Sequence, residues 1–427
     1  MLDIKLIRDS PDLVRTTLQR RNLDPAKAGL DELIALDAAW RADQQRVNEL
    51  RAERNAASSE IKKLSGDDRQ AAIARVKALK DELASIEAGL AERSEQRDRL
   101  LRAMPNLLAD DVPGGHSDED NAEISRWGEP RQLGFEPRDH VELGQLTDTI
   151  DFERGAKVAG AAFYYFKREA VLLEQALLAY AARELMPRGY IPIATPDLAK
   201  DEILDGIGFA PRGPETQVYS VENSDLSLVG TAEITVGGYH GGEILEAESL
   251  PLRYLGYSHC FRTEAGAHGK ESRGLYRVHQ FTKAEMFVLC TPESSIEHHE
   301  EIREIEESLL KGLALPYRVV NVCSGDLGAP AFKKYDIEAW MPGRGRYGEV
   351  TSCSNCTDYQ ARRLNIRYRP EAKASPRIVH MLNGTAIAVS RTLLAIYENY
   401  QREDASIEIP EVLRPLMGGI AQIPSRG

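Results

Sequence analysis

Residues 259–288 of this chain are HCFRTEAGAHGKESRGLYRVHQFTKAEMFV. The apolar and aromatic residues at both ends of this segment predict two antiparallel strands, joined by a loop of glycine, histidine, lysine and serine. Successive side chains of a strand point to opposite faces, so Cys260, Arg262 and Glu264 are expected on one face. By the same rule, one face of the return strand carries Arg277, His279, Phe281, Lys283 and Glu285.

The simplest alternative for these side chains is the solvated face of an antiparallel sheet. Solvated faces favour lysine, threonine and flexible pairs over arginine, phenylalanine and glutamate at fixed spacing. Two guanidinium groups match the oxygens of a polyphosphate, Phe281 offers a flat surface for a base, and the carboxylates can hold an amine. We therefore expect a nucleotide-binding site on a sheet, without a Walker-type phosphate loop.

The composition is that of a soluble globular enzyme with more than one domain. The chain has 427 residues, of which 42% are hydrophobic and 28% charged, so two or three domains with ample core are expected. The net charge of −13 argues against a generally basic nucleic-acid-binding surface. Any RNA contact must therefore come from local patches.

The cysteines and the apolar segments indicate where the protein resides. Five cysteines, an odd number in a long chain, indicate reduced thiols in a cytosol. The opening MLDIKLIRDS is charged and lacks the apolar core of a signal peptide. No segment approaches the roughly 20 apolar residues of a membrane helix. We expect a cytoplasmic protein that makes no membrane contact.

Residues 1–104 are predicted to form a helical domain with a projecting arm. Ser10-Pro11-Asp12 is typical of a helix start. Two apolar heptad patterns follow over 33–64 and 76–104, separated by a break at 65–68. They predict an antiparallel coiled-coil hairpin over about residues 30–104, with each helix roughly 50 Å long at about 1.5 Å per residue.

Polar residues in the heptad seam predict the register of this hairpin. With the turn centred near residue 68, Asp43 lies opposite Arg93 and Arg54 lies beside Glu82, so we expect both pairs to interact across the hairpin. Residues 41–102 carry 14 Lys or Arg against 12 Asp or Glu. A slightly basic arm on an acidic chain can contact a phosphate backbone, and a structural or dimerising coiled coil is the alternative.

Residues 105–121 combine proline, glycine and acidic residues and are predicted to be a linker. The remaining residues, 122–427, are expected to form the core of the protein. Within them, residues 163–184 have apolar positions at helical spacing and predict a packed helix. A strand that ends at Pro196 is expected to follow.

Three further segments of the core carry candidate functional side chains. Residues 229–233, VGTAE, place a hydroxyl and a carboxylate beside a glycine turn, where a helix N-cap is the alternative. Residues 349–352, EVTS, are predicted to be a loop with hard oxygen ligands for Mg²⁺. Residues 383–394 predict a small-residue turn followed by an amphipathic helix, with Arg391 in its first turns and suited to anions.

Several other patterns are predicted to have no role in chemistry. Gly206-x-Gly208 lacks the third glycine and the flanking elements of a dinucleotide loop, so a flexible loop is expected. Cys353-x-x-Cys356 has no second ligand pair, and we expect free thiols and no zinc. His298 and His299 are adjacent on a charged helix and are expected to face solvent.

The motif that begins Phe261-Arg262-x-Glu264 and ends in Glu285 resembles the second signature motif of the class II aminoacyl-tRNA synthetases. The segment ending at Pro196 resembles their first motif, and that around Arg391 their third. Over nearly the whole chain the sequence is similar to the bacterial seryl-tRNA synthetase family, in MLDIKLIRDSPD, TAE, TSCSNCTDYQARR and NGTAIAVSRTL. The resemblance implies an α+β fold, with an N-terminal antiparallel coiled-coil hairpin and a class II core built on an antiparallel sheet flanked by helices.

The resemblance also implies roles for individual residues. Arg262 would contact the α-phosphate and the serine carboxylate, and Glu264 the adenine amine. Phe281 and Arg391 would enclose the adenine, and Arg277 would bind the γ-phosphate. The loop 268–273 would order differently for ATP and for the tRNA acceptor end.

The complete sets that the resemblance implies are as follows. The catalytic residues are Arg262, Arg277 and Arg391. The ATP-binding residues are Arg262, Thr263, Glu264, Arg277, Val278, Phe281, Glu349, Val350, Thr351, Ser352 and Arg391. The serine-binding residues are Thr231, Ala232, Glu233, Arg262, Glu285, Asn383 and Thr385. The Mg²⁺ ligands are Glu349 and Ser352.

The implied activity is ATP-dependent activation of L-serine to seryl-adenylate, followed by transfer to serine tRNA and to selenocysteine tRNA, by a homodimer with Mg²⁺. Only 36 residues follow Arg391, which is too few for an anticodon-reading domain. The hairpin is therefore expected to reach the long variable arm of serine tRNAs, by shape and backbone contacts.

Two other classes of protein compete with this interpretation. A synthetase-like ligase that loads an amino acid onto a carrier protein has no need of a long RNA-reaching hairpin. A non-catalytic coiled-coil binding protein would be favoured by loss of Arg262, Glu264, Arg277 or Arg391, and all four are present.

Overall fold

The structure is a computed structural model that describes residues 1–209, 217–264 and 273–427. It comprises two compact units, Met1–Leu107 and Leu108–Gly427. Within the described ranges, no helix has the length and apolar character needed to cross a membrane.

The first unit is helical, and its helices begin where the sequence supplies start signals. Pro11 occupies the first turn of the second helix, where its missing N–H costs nothing. Gly29, with a φ of 76°, precedes the third helix, and Gly66, with a φ of 58°, begins the fourth. The helices are α1 Ile4–Asp9, α2 Pro11–Arg20, α3 Leu30–Glu60 and α4 Gly66–Ala103.

Helices α3 and α4 form the predicted antiparallel hairpin around a narrow apolar seam. Its buried residues are Val47, Leu50, Ala57, Leu79 and Leu83. A short 3₁₀ segment, Ile61–Lys63, lies between the helices, so the chain reverses before residue 66.

The predicted cross-hairpin pairing is confirmed for one pair and wrong for the other. Arg93 Nη1 pairs with Asp43 Oδ2. Glu82 pairs instead with Arg46, at 2.8 Å between Oε1 and Nη2, and Arg54 bonds its neighbour Asn55. The physical reason is that Glu82 is 44% exposed and lies beside the buried seam, where the long side chain of Arg46 can reach it from another turn of α3.

The second unit mixes helices and strands. Its α-helices are α5 His140–Leu146, α6 Phe152–Ala159, α7 Glu169–Leu185, α8 Asp201–Ile207, α9 Ala232–Gly238, α10 Ser295–Gly312, α11 Tyr359–Leu364 and α12 Val389–Asn399. Its 3₁₀ segments are Asp118–Asp120, Met186–Arg188, Ala247–Ser249, Pro292–Ser294 and Glu411–Met417.

The strands of the second unit follow in chain order. They are β1 Ala122–Trp127, β2 Ile150–Asp151, β3 Tyr165–Phe166, β4 Ile191–Ala194, β5 Leu198–Lys200, β6 Leu226–Leu228, β7 Ile244–Glu246, β8 Leu252–Phe261, β9 Gln280–Cys290, β10 Tyr317–Asn321, β11 Lys333–Met341, β12 Arg346–Asn355, β13 Arg367–Arg369, β14 Arg377–Ile378, β15 His380–Ala388, β16 Ile407–Glu408 and β17 Gln422–Ile423.

Among the described residues, eight strands form the main sheet in the order β1-β10-β11-β12-β15-β9-β8-β4. Its ladders are antiparallel except for the parallel pair of β4 and β8. The main core contains buried residues of α7, α10 and α12, which pack with those of the sheet. A second core lies around α8, α9 and α11. The predicted α+β fold, an antiparallel sheet flanked by helices, is confirmed.

The strand pair predicted over 259–288 is present, but it extends differently. β8 and β9 pair from Leu252 opposite Leu289 to Phe261 opposite Gln280. Arg262 and Glu264 therefore follow β8 and Arg277 precedes β9, so these three residues lie beyond the regular ladder. Glu264 has a φ of 50°, which ends the extended conformation because left-handed backbone cannot continue a strand.

Four other predicted elements are wrong in detail. Residues 349–352 belong to β12 and are not a loop, and the predicted turn at 383–388 is part of β15, because each pairs with neighbouring strands. The packed helix begins at Glu169, since Tyr165 and Phe166 pair with β2. Gly206 lies in α8, where a Cβ would come 2.3 Å from the side chain of Leu364.

Residues 105–121, predicted to be a linker, contribute to a small buried cluster of the second unit. Leu108 and Val112 pack there with Val322 and Leu327. Asn321 Nδ2 also donates to the carbonyl of Asp111 at 2.9 Å.

Candidate active site

A polar cavity of about 340 Å³ lies against the main sheet. Strands β9, β12 and β15 supply much of its lining, and β11, the segments after β8 and before β9, and the N-terminal ends of α9 and α12 also contribute. Its lining includes these predicted site residues: Thr231, Glu233, Arg262, Glu264, Arg277, Val278, Phe281, Glu285, Glu349, Val350, Thr351, Ser352, Asn383, Thr385 and Arg391.

Two predicted site residues do not line this cavity. Ala232 is fully buried in the first turn of α9. Thr263 lies between Arg262 and Glu264, and its backbone N–H donates to the carbonyl of Gln217 at 2.9 Å. Both are sequence neighbours of lining residues.

Thr231 and Glu233 form one end of the cavity. Thr231 is the N-cap of α9, as the alternative interpretation proposed, and its hydroxyl accepts the N–H of Glu233 at 3.2 Å. Glu233 Oε1 accepts from the amides of Gln360 at 2.7 Å and Asn383 at 3.0 Å. Burial, with the nearby charge of Glu285, raises the pKa of Glu233 to about 7.

Glu285 lies between a lysine and a threonine in the floor of the cavity. Its Oε2 is 2.5 Å from Lys283 Nζ and accepts the hydroxyl of Thr385 at 3.2 Å. Thr351, on β12, donates its own hydroxyl to the backbone carbonyl of Thr385. These contacts fix a carboxylate and a hydroxyl on adjacent strands, a pair able to receive a small polar group.

Arg262 and Arg277, which lie on either side of residues 265–272, bring two guanidinium groups to the cavity. The guanidinium carbon of Arg262 lies 5.3 Å from the ring centroid of Phe281, and its Nε donates to the carbonyl of Gly230 at 3.2 Å. Arg277 Nη1 is 2.7 Å from Glu264 Oε2. The predicted change in the loop 268–273 concerns residues of which 268–272 lie outside the described ranges.

Arg391, near the N-terminus of α12, is held from two sides. Its Nε donates to the carbonyl of Tyr276 at 3.2 Å, and its guanidinium carbon lies 4.7 Å from that ring. Its Nη1 is 3.1 Å from Glu349 Oε2. Although burial opposes ionisation, the charges of Arg391 and Lys334 lower the pKa of Glu349. Glu349 is therefore an anion at neutral pH.

A β-bulge brings the two predicted Mg²⁺ ligands together. The register of β11 and β12 shifts between Ile337 and Glu338, which pair with Thr351 and Glu349, so Val350 is the extra residue. A bulge changes the direction of the side chains that follow it. It places Glu349 and Ser352, three residues apart, on the same cavity.

Glu349 and Ser352 together suit a cation whose other ligands come mainly from the substrate. One carboxylate and one hydroxyl are hard oxygen donors, as Mg²⁺ requires, and a nucleotide's phosphates and water complete such sites. In the described part of the chain, no group of three or more His, Cys, Asp or Glu side chains could hold a metal. All five cysteines are free and buried.

The structure also identifies cavity residues to which the sequence analysis gave no role. Lys283, Tyr276 and Lys334 line the cavity. Lys283 could have been found from its spacing, because it lies two residues from Phe281 and from Glu285 on the same strand face. No local pattern marks Tyr276 or Lys334.

The prediction that His298 and His299 face solvent is wrong. Both are buried, since α10 packs against the sheet. His299 Nε2 is 3.1 Å from the carbonyl oxygen of Cys353 and its ring stacks on Tyr335. Burial lowers the pKa of His299 to about 4.

A mainly antiparallel sheet with Arg262 after β8, Arg277 before β9 and Arg391 on α12 has the arrangement of a class II aminoacyl-tRNA synthetase. The family model described as the tRNA synthetase class II core domain (G, H, P, S and T) matches residues 218–400. The model for the seryl-tRNA synthetase N-terminal domain matches residues 1–108.

Comparison with individual proteins identifies the family within this class. The chain is 54% identical to a serine–tRNA ligase of Dictyoglomus turgidum, over 98% of each chain, and 51% identical to one of Rubrobacter xylanophilus, over the whole of both. It matches the crystal structure of seryl-tRNA synthetase from Pyrococcus horikoshii complexed with ATP, with a TM-score of 0.95 and 42% identity over 100% of both chains. The chain belongs to the seryl-tRNA synthetase family.

Proposed function

We propose that this protein activates L-serine with ATP to form seryl-adenylate and transfers the seryl group to serine tRNA. The observation that carries the proposal is the convergence of Arg262, Arg277 and Arg391 with Glu233 and Glu285 on one cavity. Three guanidinium groups suit a triphosphate, and two carboxylates suit an amino acid that carries an ammonium and a hydroxyl.

We assign the amino acid to the end of the cavity near α9. Glu233 would bind the serine ammonium, with Asn383 beside it, and Glu285 and Thr385 would bind the hydroxyl. Thr231 would line the same pocket, with the backbone of Ala232 adjacent. A site that hydrogen-bonds a hydroxyl rejects analogues without one by roughly 10⁴-fold or more, so alanine and glycine would be excluded.

ATP would occupy the remaining part of the cavity. Glu264 and the backbone of Thr263 and Val278 would bind the adenine, with Phe281 and Arg391 on its two faces. Arg277 would bind the γ-phosphate, and residues 349–352 would lie along the phosphates. Glu349 and Ser352 would hold Mg²⁺, which supplies positive charge to the phosphate oxygens when bound.

In this arrangement the chain itself need supply no nucleophile or general base. The serine carboxylate attacks the α-phosphorus, and pyrophosphate leaves. Arg262, placed between the two substrates, would orient the carboxylate and neutralise charge that develops on the α-phosphate. Orientation and fixed charge would therefore account for the rate. A ribose hydroxyl at the end of the tRNA then attacks the seryl carbonyl of the adenylate, the ester forms, and AMP leaves.

We infer that residues 1–104 bind the tRNA through the hairpin over about residues 30–104, that 105–121 connect this domain to the catalytic domain, and that 122–427 carry the chemistry. Arg51, paired with Glu87, and the other exposed arginines of α3 and α4 would contact the phosphate backbone. Serine tRNA is the proposed partner, and selenocysteine tRNA, which carries the same amino acid first, is a second.

We further propose a homodimer formed along one edge of the main sheet. β4 is one of its two edge strands in the described part of the chain; Ile191 on it is 53% exposed, and Met186, which precedes it, is 56% exposed. An apolar sheet edge left open would aggregate, and pairing of two copies covers it. The buried free cysteines accord with residence in the cytoplasm.

Serine-dependent pyrophosphate exchange tests the proposed function directly. The protein should exchange with serine and far less with alanine, glycine or threonine. Arg262→Ala should abolish exchange, and a variant that retained near-normal exchange would contradict the role of Arg262. Deletion of residues 41–102 should spare exchange and abolish tRNA charging. Loss of both activities would argue against the hairpin as the tRNA-binding element.

A further inference from the structure

A buried histidine and glutamate lie outside the cavity, behind the segment that carries Tyr276 and Arg277. His140 begins α5 and Glu398 lies near the end of α12, and both are almost completely buried. His140 Nδ1 is 2.8 Å from Glu398 Oε1. The same oxygen accepts the backbone N–H of His140 at 3.2 Å.

These contacts determine which nitrogen of His140 carries the proton. The backbone N–H of Leu275 donates to the ring nitrogen Nε2 at 3.0 Å, so Nε2 acts as the acceptor. An imidazole that accepts at Nε2 carries its proton on Nδ1, so Nδ1 is the donor to Glu398. A carboxylate that fixes a ring tautomer so that the second nitrogen performs a task is a recurring device in proteins.

The backbone next to this pair has glycine at two positions where a side chain would clash with its neighbours. A Cβ at Gly274, which has a φ of 74°, would lie 2.0 Å from His140 Nε2. A Cβ at Gly343 would lie 2.7 Å from the Cα of Asp139, and the Gly343 N–H donates to Glu398 Oε2 at 2.9 Å. Any side chain at Gly274 would displace the ring.

The hydrogen bond from Leu275 lies directly next to the ATP side of the cavity. Tyr276 follows Leu275, and the centroid of its ring lies 4.0 Å from the guanidinium carbon of Arg344 and 4.7 Å from that of Arg391. Its carbonyl accepts from Arg391 Nε. Arg277 is the next residue. The position of the Leu275 backbone therefore sets where two of the three proposed catalytic arginines lie.

We propose that His140, oriented by Glu398, is a positioning residue for ATP binding: its Nε2 fixes the backbone at Leu275, and so the Tyr276–Arg277 pair and the arginine that stacks on Tyr276. Glu398 lies two helical turns after Arg391 on α12. Helix α12 thus carries Arg391 near its start and, near its end, the glutamate that orients His140. The inference rests on the proposed function.

Two substitutions separate the two ring nitrogens. An asparagine amide reaches the position of Nδ1, so His140→Asn can still meet Glu398 but leaves the Leu275 N–H unpaired. A glutamine amide reaches the position of Nε2, so His140→Gln can still accept from Leu275 and loses the bond to Glu398. Each replaces the same ring with a polar side chain in the same buried place, and each is the matched control of the other.

The measurement is pyrophosphate exchange with ATP and serine varied separately, with a melting curve for each variant. We expect His140→Asn to raise the KM for ATP by roughly ten-fold, in line with one buried unsatisfied donor. His140→Gln should stay within about three-fold of the parent protein, and the KM for serine should change less than about two-fold in both.

An unchanged ATP KM in His140→Asn would overturn the proposal. So would equal increases for ATP and serine in both variants, because that pattern indicates general loss of structure. Should His140→Asn fail to fold, Glu398→Met, which has a similar length but offers no oxygen to accept from His140 Nδ1, supplies the test, with a rise in ATP KM alone expected. Absence of exchange in the parent protein would instead refute the proposed function.

Discussion

The buried ion pair in the floor of the cavity allows a quantitative test of how the site is held together. Lys283 Nζ and Glu285 Oε2 are 2.5 Å apart, and the side chains are 8% and 3% exposed. Lys283→Met has similar length but no charge, so it leaves Glu285 as an uncompensated buried carboxylate. Breaking a buried pair in this way costs about 3–5 kcal/mol. We expect a loss of about 3 kcal/mol, because the cavity admits some water.

The double variant distinguishes this cause from simple loss of packing. Adding Glu285→Gln to Lys283→Met removes the unpaired charge and keeps an oxygen for the hydroxyl of Thr385. Replacing both members of a buried pair by neutral groups is often nearly neutral. The double variant should therefore recover most of the lost stability, with a coupling energy of about 2 kcal/mol.

The assay is urea unfolding of the second unit followed by tryptophan fluorescence. Trp40 lies in the first unit, and Trp127 and Trp340 lie in the second. Trp40→Phe in every variant makes the signal report the second unit alone. Losses that simply add in the double variant would refute the reasoning. Serine-dependent exchange should be impaired in the single and the double variant alike, since the single variant removes the lysine that holds the Glu285 carboxylate and the double variant replaces that carboxylate itself.

Three shorter predictions follow from other residues. Because burial raises the pKa of Glu233 to about 7 and the serine ammonium needs its anion, kcat/KM for serine should rise as pH increases through about 7, and Glu233→Gln should remove that dependence. A kinetic profile flat from pH 6 to 8 in the parent protein would contradict it. Burial lowers the pKa of His299 from 6.5 to about 4, so between these pH values the unfolded chain binds a proton that the folded chain does not. The free energy of unfolding should therefore be highest above pH 6.5 and should decrease by about 3 kcal/mol as the pH falls towards 4. Urea titrations of His299→Gln should lack this component, and equal slopes for both proteins would exclude it. Asp43→Ala should cost less than about 1 kcal/mol, because Arg93 and Asp43 are 42% and 26% exposed; a larger loss in the thermal unfolding of the hairpin would show that the pair fixes its register.

The sequence predicts those parts of the fold in which local pattern and tertiary structure agree. The alternating pattern of 259–288 identifies β8 and β9, and the heptads identify α3 and α4. The ends of β8 and β9 are misplaced because Arg262 and Arg277 continue the alternation, although their backbone turns away toward the cavity. Alternation indicates on which face of the sheet a side chain lies, but it does not indicate where the hydrogen-bonded ladder of the two strands ends.

The errors elsewhere come from tertiary contacts that override local preference. Asn383-Gly384-Thr385 has turn composition, yet β15 pairs with β12 and β9 on both sides. Gly384 is required there because a Cβ would lie 2.3 Å from Ile302. Charged residues around His299 suggest a solvated helix, whereas the sheet covers that face of α10. Neither effect is visible in a window of neighbouring residues.

The sequence predicts which residues form the candidate site better than it predicts how they are arranged in space. Motif spacing identified the arginines and carboxylates that meet in the cavity. It did not identify the bulge at Val350, since a bulge is defined by the partner strand and leaves no fixed pattern in its own sequence. Tyr276 and His140 were missed for the same reason, because their roles depend on residues far away in the chain.

The pairing of charges within the cavity bears on how it would bind a triphosphate. Arg277 and Arg391 are each held by a carboxylate of the chain, Glu264 and Glu349 respectively. Cations fixed in this way lose little conformational freedom when phosphates arrive, so the ordering cost of binding is small. The phosphates must compete with those carboxylates, which reduces affinity for the ground state. Charge that appears only as the α-phosphate reacts meets guanidinium groups already in position, and fixed positive charge of this kind stabilises the transition state more than the substrate.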